Sequence, residues 1–351
     1  MEMHRPSPAR KPVSVCFFVW LTSSELFEIV DFYRNDIRIL RELGYRVHLA
    51  SKPSQISWDA DLYITWWWAG GLPTLIPSVI RRRPNIFFGA HHFFQPGWDF
   101  QTDRFHLRTV LKRVAMRWAM RLATANVFIS PEELRVVEHL LVRNPSLVPL
   151  AVDHHFYRPD RAAPGEHLLT ITHLTRANVE RKMVCELIEA FAYLLRERPD
   201  ERLVIIGEKG DGYARVQEAA TRLGIAGQVD CVGRIDTHAK LSLLQRAKMY
   251  LQPTRYEGFG LAIAEAMACE RPVVVTLGGA VADTVGACGA YARAHTPEAI
   301  AQACLGVLRD PMGAAAMGRA ARARVIECFS YERRKERIRS LLENVALPRV
   351  L

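Results

Sequence analysis

Apolar and polar positions along this 351-residue chain follow two periods in turn. Short continuous apolar runs bounded by turn residues predict buried strands over residues 13–21, 45–50, 61–65, 85–90 and 125–130. The same pattern returns over 168–173, 203–207, 229–233, 249–253 and 272–276. Between these runs the period changes to 3.6. Residues 25–43 carry Leu26, Ile29, Val30, Tyr33, Ile37 and Leu40 at helical spacing and stop at Gly44. Further helices are expected over 237–247, 298–308, 314–328 and 331–345. Strands alternating with helices predict α/β architecture with parallel sheets.

Composition narrows the class. With 49% hydrophobic and 24% charged residues, the chain reads as globular and long enough for two domains. No apolar run approaches the roughly 20 residues that cross a bilayer. A formal charge of +10 favours anionic partners. Nucleotide sugars, anionic lipid and nucleic acid all qualify on that count. Seven scattered cysteines without a C-x2-C pair argue against a disulfide framework or zinc site, and for a reducing cytosol. Basic residues up to Lys11 followed by the apolar run 13–21 could suit a secretory signal. The run is rich in Val, Phe and Trp and lacks a small-residue cleavage site, which predicts a first strand instead.

Three stretches of the N-terminal half carry candidate chemistry. Asp59-Ala60-Asp61 has the spacing of a metal-binding pair but reads as solvated turn residues, and no metal site is expected. Trp66-Trp67-Trp68 cannot all face one core; at least one borders a ligand site or membrane, or all pack beneath a neighbouring helix. In residues 104–121, Leu107, Leu111, Val114 and Trp118 form a stripe that continues to Leu122. Arg104, Arg108, Lys112, Arg113, Arg117 and Arg121 occupy the remaining positions. Such a helix either shows solvent a basic face or attaches to an anionic membrane surface, to which Arg81-Arg82-Arg83 would add.

The most informative run is Tyr256-Glu257-Gly258-Phe259-Gly260-Leu261-Ala262-Ile263-Ala264-Glu265. It predicts a strand, a tight glycine turn and a helix starting near Gly260. Unpaired N–H groups and partial positive charge at a helix start suit a phosphate. Glu257 before that start and Glu265 beyond it could accept sugar hydroxyls on both sides of a diphosphate. The string EGFGLAIAEAMACERPVVVT resembles the signature of the retaining glycosyltransferases of family 4, which have the two-domain GT-B fold.

That resemblance implies two Rossmann-like domains: an acceptor-side domain over 1–158 and a nucleotide-sugar domain over 159–330. A last helix over 331–351 would cross back to the first domain. It puts Glu257 on the donor sugar and Glu265 on the ribose. The turn amides of Phe259, Gly260 and Leu261, with Gly258 beside them, would hold the diphosphate, and Gly233 would lie near the base. Arg176 and Lys182 fall on the positions that contact the diphosphate; Met183 stands where the family usually has glycine, which allows a different turn. One of His91 and His92, with His91 chosen, would contact the donor sugar. Residues 20–24 lack the family's glycine-rich loop.

The implied activity is transfer of a sugar from a nucleotide-diphosphate sugar to a hydroxyl acceptor with anomeric configuration retained, in polysaccharide, glycolipid or other glycoconjugate synthesis. Glu257, Arg176, Lys182 and His91 would form the catalytic set. No cofactor beyond the donor and no metal is expected, because fixed cations and the helix start stabilise the departing diphosphate. The expected partners are the donor, a hydroxyl acceptor that can be lipid-linked, and an anionic membrane surface through 104–121, with no nucleic acid. The expected location is cytoplasmic, peripheral on the inner face of the membrane. Two other readings stay open: a GT-B protein that binds nucleotide sugar without transferring it, and a nicotinamide-dependent oxidoreductase. Gly207, Gly210 and Gly212 do not form the G-x-G-x-x-G fingerprint of the latter.

Overall fold

Unbroken apolar runs are what a parallel sheet covered on both faces demands, and they form two such sheets. The computed structural model describes residues 12–89, 107–137 and 142–345. Among these, the first sheet holds β1 (Ser14–Phe18), β2 (Arg46–Ala50), β3 (Leu62–Trp66), β4 (Asn85–Phe88), β5 (Ala125–Phe128) and β6 (Pro145–Leu147). Their order is β2-β1-β3-β4-β5-β6, all pairs parallel. The second holds β7 (His167–Ile171), β8 (Leu203–Ile206), β9 (Val229–Gly233), β10 (Ala247–Gln252), β11 (Val273–Val275) and β12 (Ala290–Tyr291). Its order is β12-β11-β10-β7-β8-β9, again parallel.

Each sheet anchors its own compact unit. One comprises Met1–Phe128, Val136–Val148 and Lys335–Leu351; the other comprises Ile129–Arg135 and Pro149–Arg334. In the second, strand order reverses between β7 and β10. Successive strands run outward from β7 to β9, then resume on its other side. At such a switch point the loops leaving the strand ends diverge and open a crevice beyond the carboxyl edge. The core beside it packs Leu187, Ile188 and Phe191 with Ile300 and Leu305, all buried.

Several local expectations differ from the structure. The helix expected over 25–43 is broken at Val30, whose φ of −84° and ψ of 111° are extended, giving Leu26–Ile29 and Asp31–Glu42. Three-residue β6 and two-residue β12 are too short to announce themselves by periodicity. Trp66 and Trp68 are both buried. The Trp66 indole donates to Asp36 (3.1 Å) and the Trp67 indole to the Tyr33 hydroxyl (2.5 Å). Asp61 accepts from the Ser14 amide and hydroxyl, and Asp59 pairs with Arg81. Asp61 thus serves structure, while Asp59 is a solvent-exposed turn residue paired at the surface.

The Trp68 ring packs 4.9 Å from Phe128, and a Cβ placed on Gly89 would lie 2.0 Å from that ring. Gly89→Ala should therefore destabilise the chain by about 1–3 kcal/mol through overpacking. Urea unfolding followed by circular dichroism measures this; an unchanged midpoint would mean the ring is free to move aside.

Candidate active site

Two loops at the switch point of the second sheet supply the site. After β7 the chain caps a short helix, Arg176–Arg181, with Thr175, whose hydroxyl accepts from the Asn178 amide. Met183 follows with φ 49° and ψ 42°, the left-handed conformation a glycine would take easily. Left-handed backbone costs a non-glycine residue about 1–2 kcal/mol. The Met183 side chain is wholly buried, which returns roughly 1.5–3 kcal/mol. This turn sends Lys182 back over the sheet edge, where its ammonium lies 3.5 Å from the Ile171 carbonyl at the end of β7.

Glu257 arrives on the loop after β10. Its backbone is fixed from both sides, donating to the Gly278 carbonyl (3.2 Å) and accepting from the Ala280 amide (2.7 Å). Three donors converge on one carboxylate oxygen. Arg181 Nη1 lies at 2.9 Å, Lys182 Nζ at 3.3 Å and Gln252 Nε2 at 2.8 Å from Oε1. Gln252 is oriented by the Tyr250 hydroxyl, which donates to its carbonyl oxygen. Among the described residues the structure gives Oε2 no partner. One oxygen is thus held while the other stays able to accept.

All three charged side chains are largely buried, at 15% exposure for Arg181, 14% for Lys182 and 11% for Glu257. Burial by itself pushes the Glu257 carboxyl up, but Lys182 and Arg181 outweigh it and hold the group below the usual carboxylate range. Burial also pulls the Lys182 ammonium below its ordinary value, against the attraction of Glu257. Two cations against one anion leave the cluster with an excess positive charge, which an anionic ligand would balance.

Three residues beyond Glu257, Gly260 takes φ 87° and ψ 53° and begins the helix Leu261–Ala268. A Cβ there would meet Ile263 Cδ1 at 2.9 Å, so both backbone and space call for glycine. Phe259 is buried against Phe329 (5.2 Å), and its carbonyl accepts from the Thr284 hydroxyl. Its side chain anchors the turn; only its backbone is left to face a ligand. The first N–H groups of the helix, from Leu261 onward, have no intrahelical acceptor. Gly258 sits in the same turn without a positive φ.

Glu265 is buried further along this helix, and both its oxygens lie 3.0 Å from Lys240 Nζ. That ammonium also stands 5.0 Å over the Tyr157 ring. Arg176 is exposed; its backbone N–H donates to Asp211, and its side chain has no partner among the described residues. Gly233 ends the edge strand β9, where its carbonyl accepts from the Gly207 amide. His91 and His92 lie outside the described residues. The structure therefore brings Lys182 to Glu257, and places Gly258, Phe259, Gly260 and Leu261 in one turn with Glu265 on its helix. Arg176 and Gly233 make no bond to that cluster.

Sequence reasoning missed Arg181, Gln252 and Lys240. Arg181 stood beside Lys182, but nothing local shows that a guanidinium turns inward to a carboxylate 76 residues away. Gln252 ends β10 and, spaced five residues from Glu257, was the signal closest to legible. Lys240 offered none.

Residues 168–324 match the family described as glycosyl transferases group 1. Over 207 residues the chain is 31% identical to MMP alpha-(1->4)-mannosyltransferase of Mycolicibacterium hassiacum, covering 58% of this chain and 46% of that protein. It is 38% identical over 176 residues to GDP-mannose-dependent alpha-(1-6)-phosphatidylinositol dimannoside mannosyltransferase of Mycobacterium tuberculosis, covering 48% and 45%. The chain thus spans about half the length of these curated relatives. Anabaena Alr3699/HepE, solved in complex with UDP, superposes with a TM-score of 0.75 at 17% identity, over 95% of this chain and 100% of that one. At that identity the likeness concerns the fold, which is GT-B.

Glu257→Gln should destabilise the protein at neutral pH by about 3 kcal/mol, since it leaves two buried cations uncompensated. A lowered carboxyl contributes stability that is complete above the ordinary carboxylate range and is lost as pH falls through the lowered value. The difference between wild type and Glu257→Gln should accordingly shrink in acid, and a gap that stays constant would refute the ionised assignment. Gly260→Ala should cost about 1–2 kcal/mol, whereas Gly258→Ala, whose Cβ would have only an ordinary contact at 3.5 Å, should cost less. Parallel thermal melts compare the two.

Proposed function

We propose that this chain, a member of the group 1 glycosyl transferases by its residues 168–324, moves a sugar from a nucleotide-diphosphate donor to a hydroxyl acceptor with retention at the anomeric carbon. The observation that carries the reading is the cluster of Arg181, Lys182 and Glu257 three residues ahead of the glycine-started helix. As the bond from the anomeric carbon to the donor phosphate breaks, the leaving diphosphate gains negative charge. Lys182, Arg176 and the amides from Phe259 to Leu261 stabilise that charge more in the transition state than in the ground state. The acceptor oxygen bonds to the same face of the anomeric carbon, and its proton passes to the departing phosphate oxygen. Glu257 accepts from donor-sugar hydroxyls through Oε2, Glu265 from the ribose, and Gly233 lies by the base. His91 completes the set on the sugar.

In this reading residues 159–330 hold the donor and 1–158 serve the acceptor. No cofactor or metal is required, because the cations already supply the countercharge. The name of one relative makes GDP-mannose the first donor to test and places its acceptor among phosphatidylinositol mannosides. We accordingly assign a lipid-linked or glycan hydroxyl as acceptor, and a peripheral place on the inner face of an anionic membrane through the basic segment 104–121.

Arg176 gives a clean test because it is exposed, so its loss should change stability by less than about 0.5 kcal/mol. Arg176→Ala should nonetheless slow transfer by about 10²–10³-fold, the usual cost of one charge-stabilising donor. A thermal-shift panel of nucleotide sugars identifies the donor, and radiolabel transfer to a lipid extract with anomer-resolving NMR reads the product. Donor binding with neither transfer nor hydrolysis would replace this reading with that of a non-catalytic binder. Loss of transfer in excess EDTA would overturn metal independence.

A further inference from the structure

Two helices of the N-terminal unit, Leu72–Ile80 and Leu107–Leu122, pack against each other and turn large apolar side chains to solvent. On the first, Leu72, Ile76, Val79 and Ile80 are between 42% and 63% exposed. On the second, Leu111, Val114, Trp118 and Leu122 are between 44% and 57% exposed. The inward sides hold Thr74, Leu75 and Ser78 on the first helix and Met116, Ala119 and Met120 on the second. The apolar stripe of Leu111, Val114, Trp118 and Leu122 is therefore the face turned away from the core. Paired apolar faces of this kind mark an interaction surface.

Charge selects the partner. No Asp or Glu occurs in residues 62–98 or 104–131. Arg117 and Arg121 are exposed and each precedes a member of the stripe, so they flank it about 100° around the helix. Exposed Arg81 and Arg82 follow the end of the other helix, the first paired to Asp59. An apolar face fringed by arginines suits an anionic bilayer, with guanidinium groups at the headgroups and aliphatic chains below them. A second copy of this chain would set like-charged fringes against each other. No helix among the described residues is long and apolar enough to cross a membrane, so the fitting mode is contact with the surface.

We propose that the exposed faces of Leu72–Ile80 and Leu107–Leu122 together form a docking surface for an anionic lipid bilayer. The proposal deepens the membrane partner of the preceding section and rests on that reading for its purpose, while lipid binding itself is measurable without any transfer assay. Flotation of the full chain with phosphatidylcholine vesicles, with and without phosphatidylglycerol, tests it. Binding is expected to the anionic vesicles and to fall at least tenfold in Ile76→Gln/Ile80→Gln and in Trp118→Gln, with the thermal shift given by nucleotide sugar unchanged. Binding should also weaken with salt. Failure to float with anionic vesicles, equal flotation of the variants, or wild-type dimers that the same substitutions dissociate would each overturn it. Transfer activity without vesicle binding would sink the docking surface and leave the catalytic reading standing; vesicle binding without activity would do the reverse.

Discussion

A buried carboxylate outnumbered by cations is the constraint on which the second unit's site depends. Separating Glu257 from Arg181 and Lys182 would strand charges in a medium where their solvation is poor, so the loop after β10 is held to the chain after β7. Arg181 reinforces the link through the Tyr256 carbonyl, and the Thr254 hydroxyl reaches the Arg181 carbonyl in return. These bonds fix the positions of the charges before any ligand arrives. Preorganised charge of this kind does not have to be reoriented when a reaction demands it. Counted as Arg181, Lys182 and Glu257 alone, the cluster carries two cations against one anion.

Strand order decides where this cluster can exist. Because β7 neighbours β10 rather than only its sequential successor, two loops separated by some 80 residues emerge side by side. Gly260 then converts the strand end into a helix start within a few residues, which a side chain at that φ would resist. Met183 solves the matching problem on the other loop differently, accepting left-handed backbone in exchange for a filled core position. Equivalent turns therefore rest on absence of a side chain in one loop and burial of one in the other.

Most strands and the glycine turn were legible because their causes are local: apolar runs, breakers and helix formers lie within a few residues of one another. The break at Val30 was not, since apolar spacing continues through it and only the backbone changes. The second cation was hidden for another reason. Arg176 and Arg181 look alike in sequence, yet one is exposed and the other buried on Glu257, and the difference arises only when β10 is placed beside β7. The Lys240–Glu265 contact joins two helices whose proximity no periodicity encodes. Local pattern locates the elements; long-range pairing chooses the partners.

The first unit shows why a helical stripe is an incomplete signal. Periodicity in residues 107–122 reveals that apolar residues share a face, but it carries no sign to say whether that face looks inward. Here the core is closed by Met116, Ala119 and Met120, small or flexible enough for close approach, while Trp118 and Leu122 remain outside. A sequence under pressure only for stability would bury the larger residues, because burial stabilises in proportion to apolar area. Leaving them exposed across two adjoining helices, in a stretch where acids are absent, forgoes that stabilisation. Part of the formal charge of +10 thus acquires a location: Arg81, Arg82, Arg117 and Arg121 fringe one apolar surface.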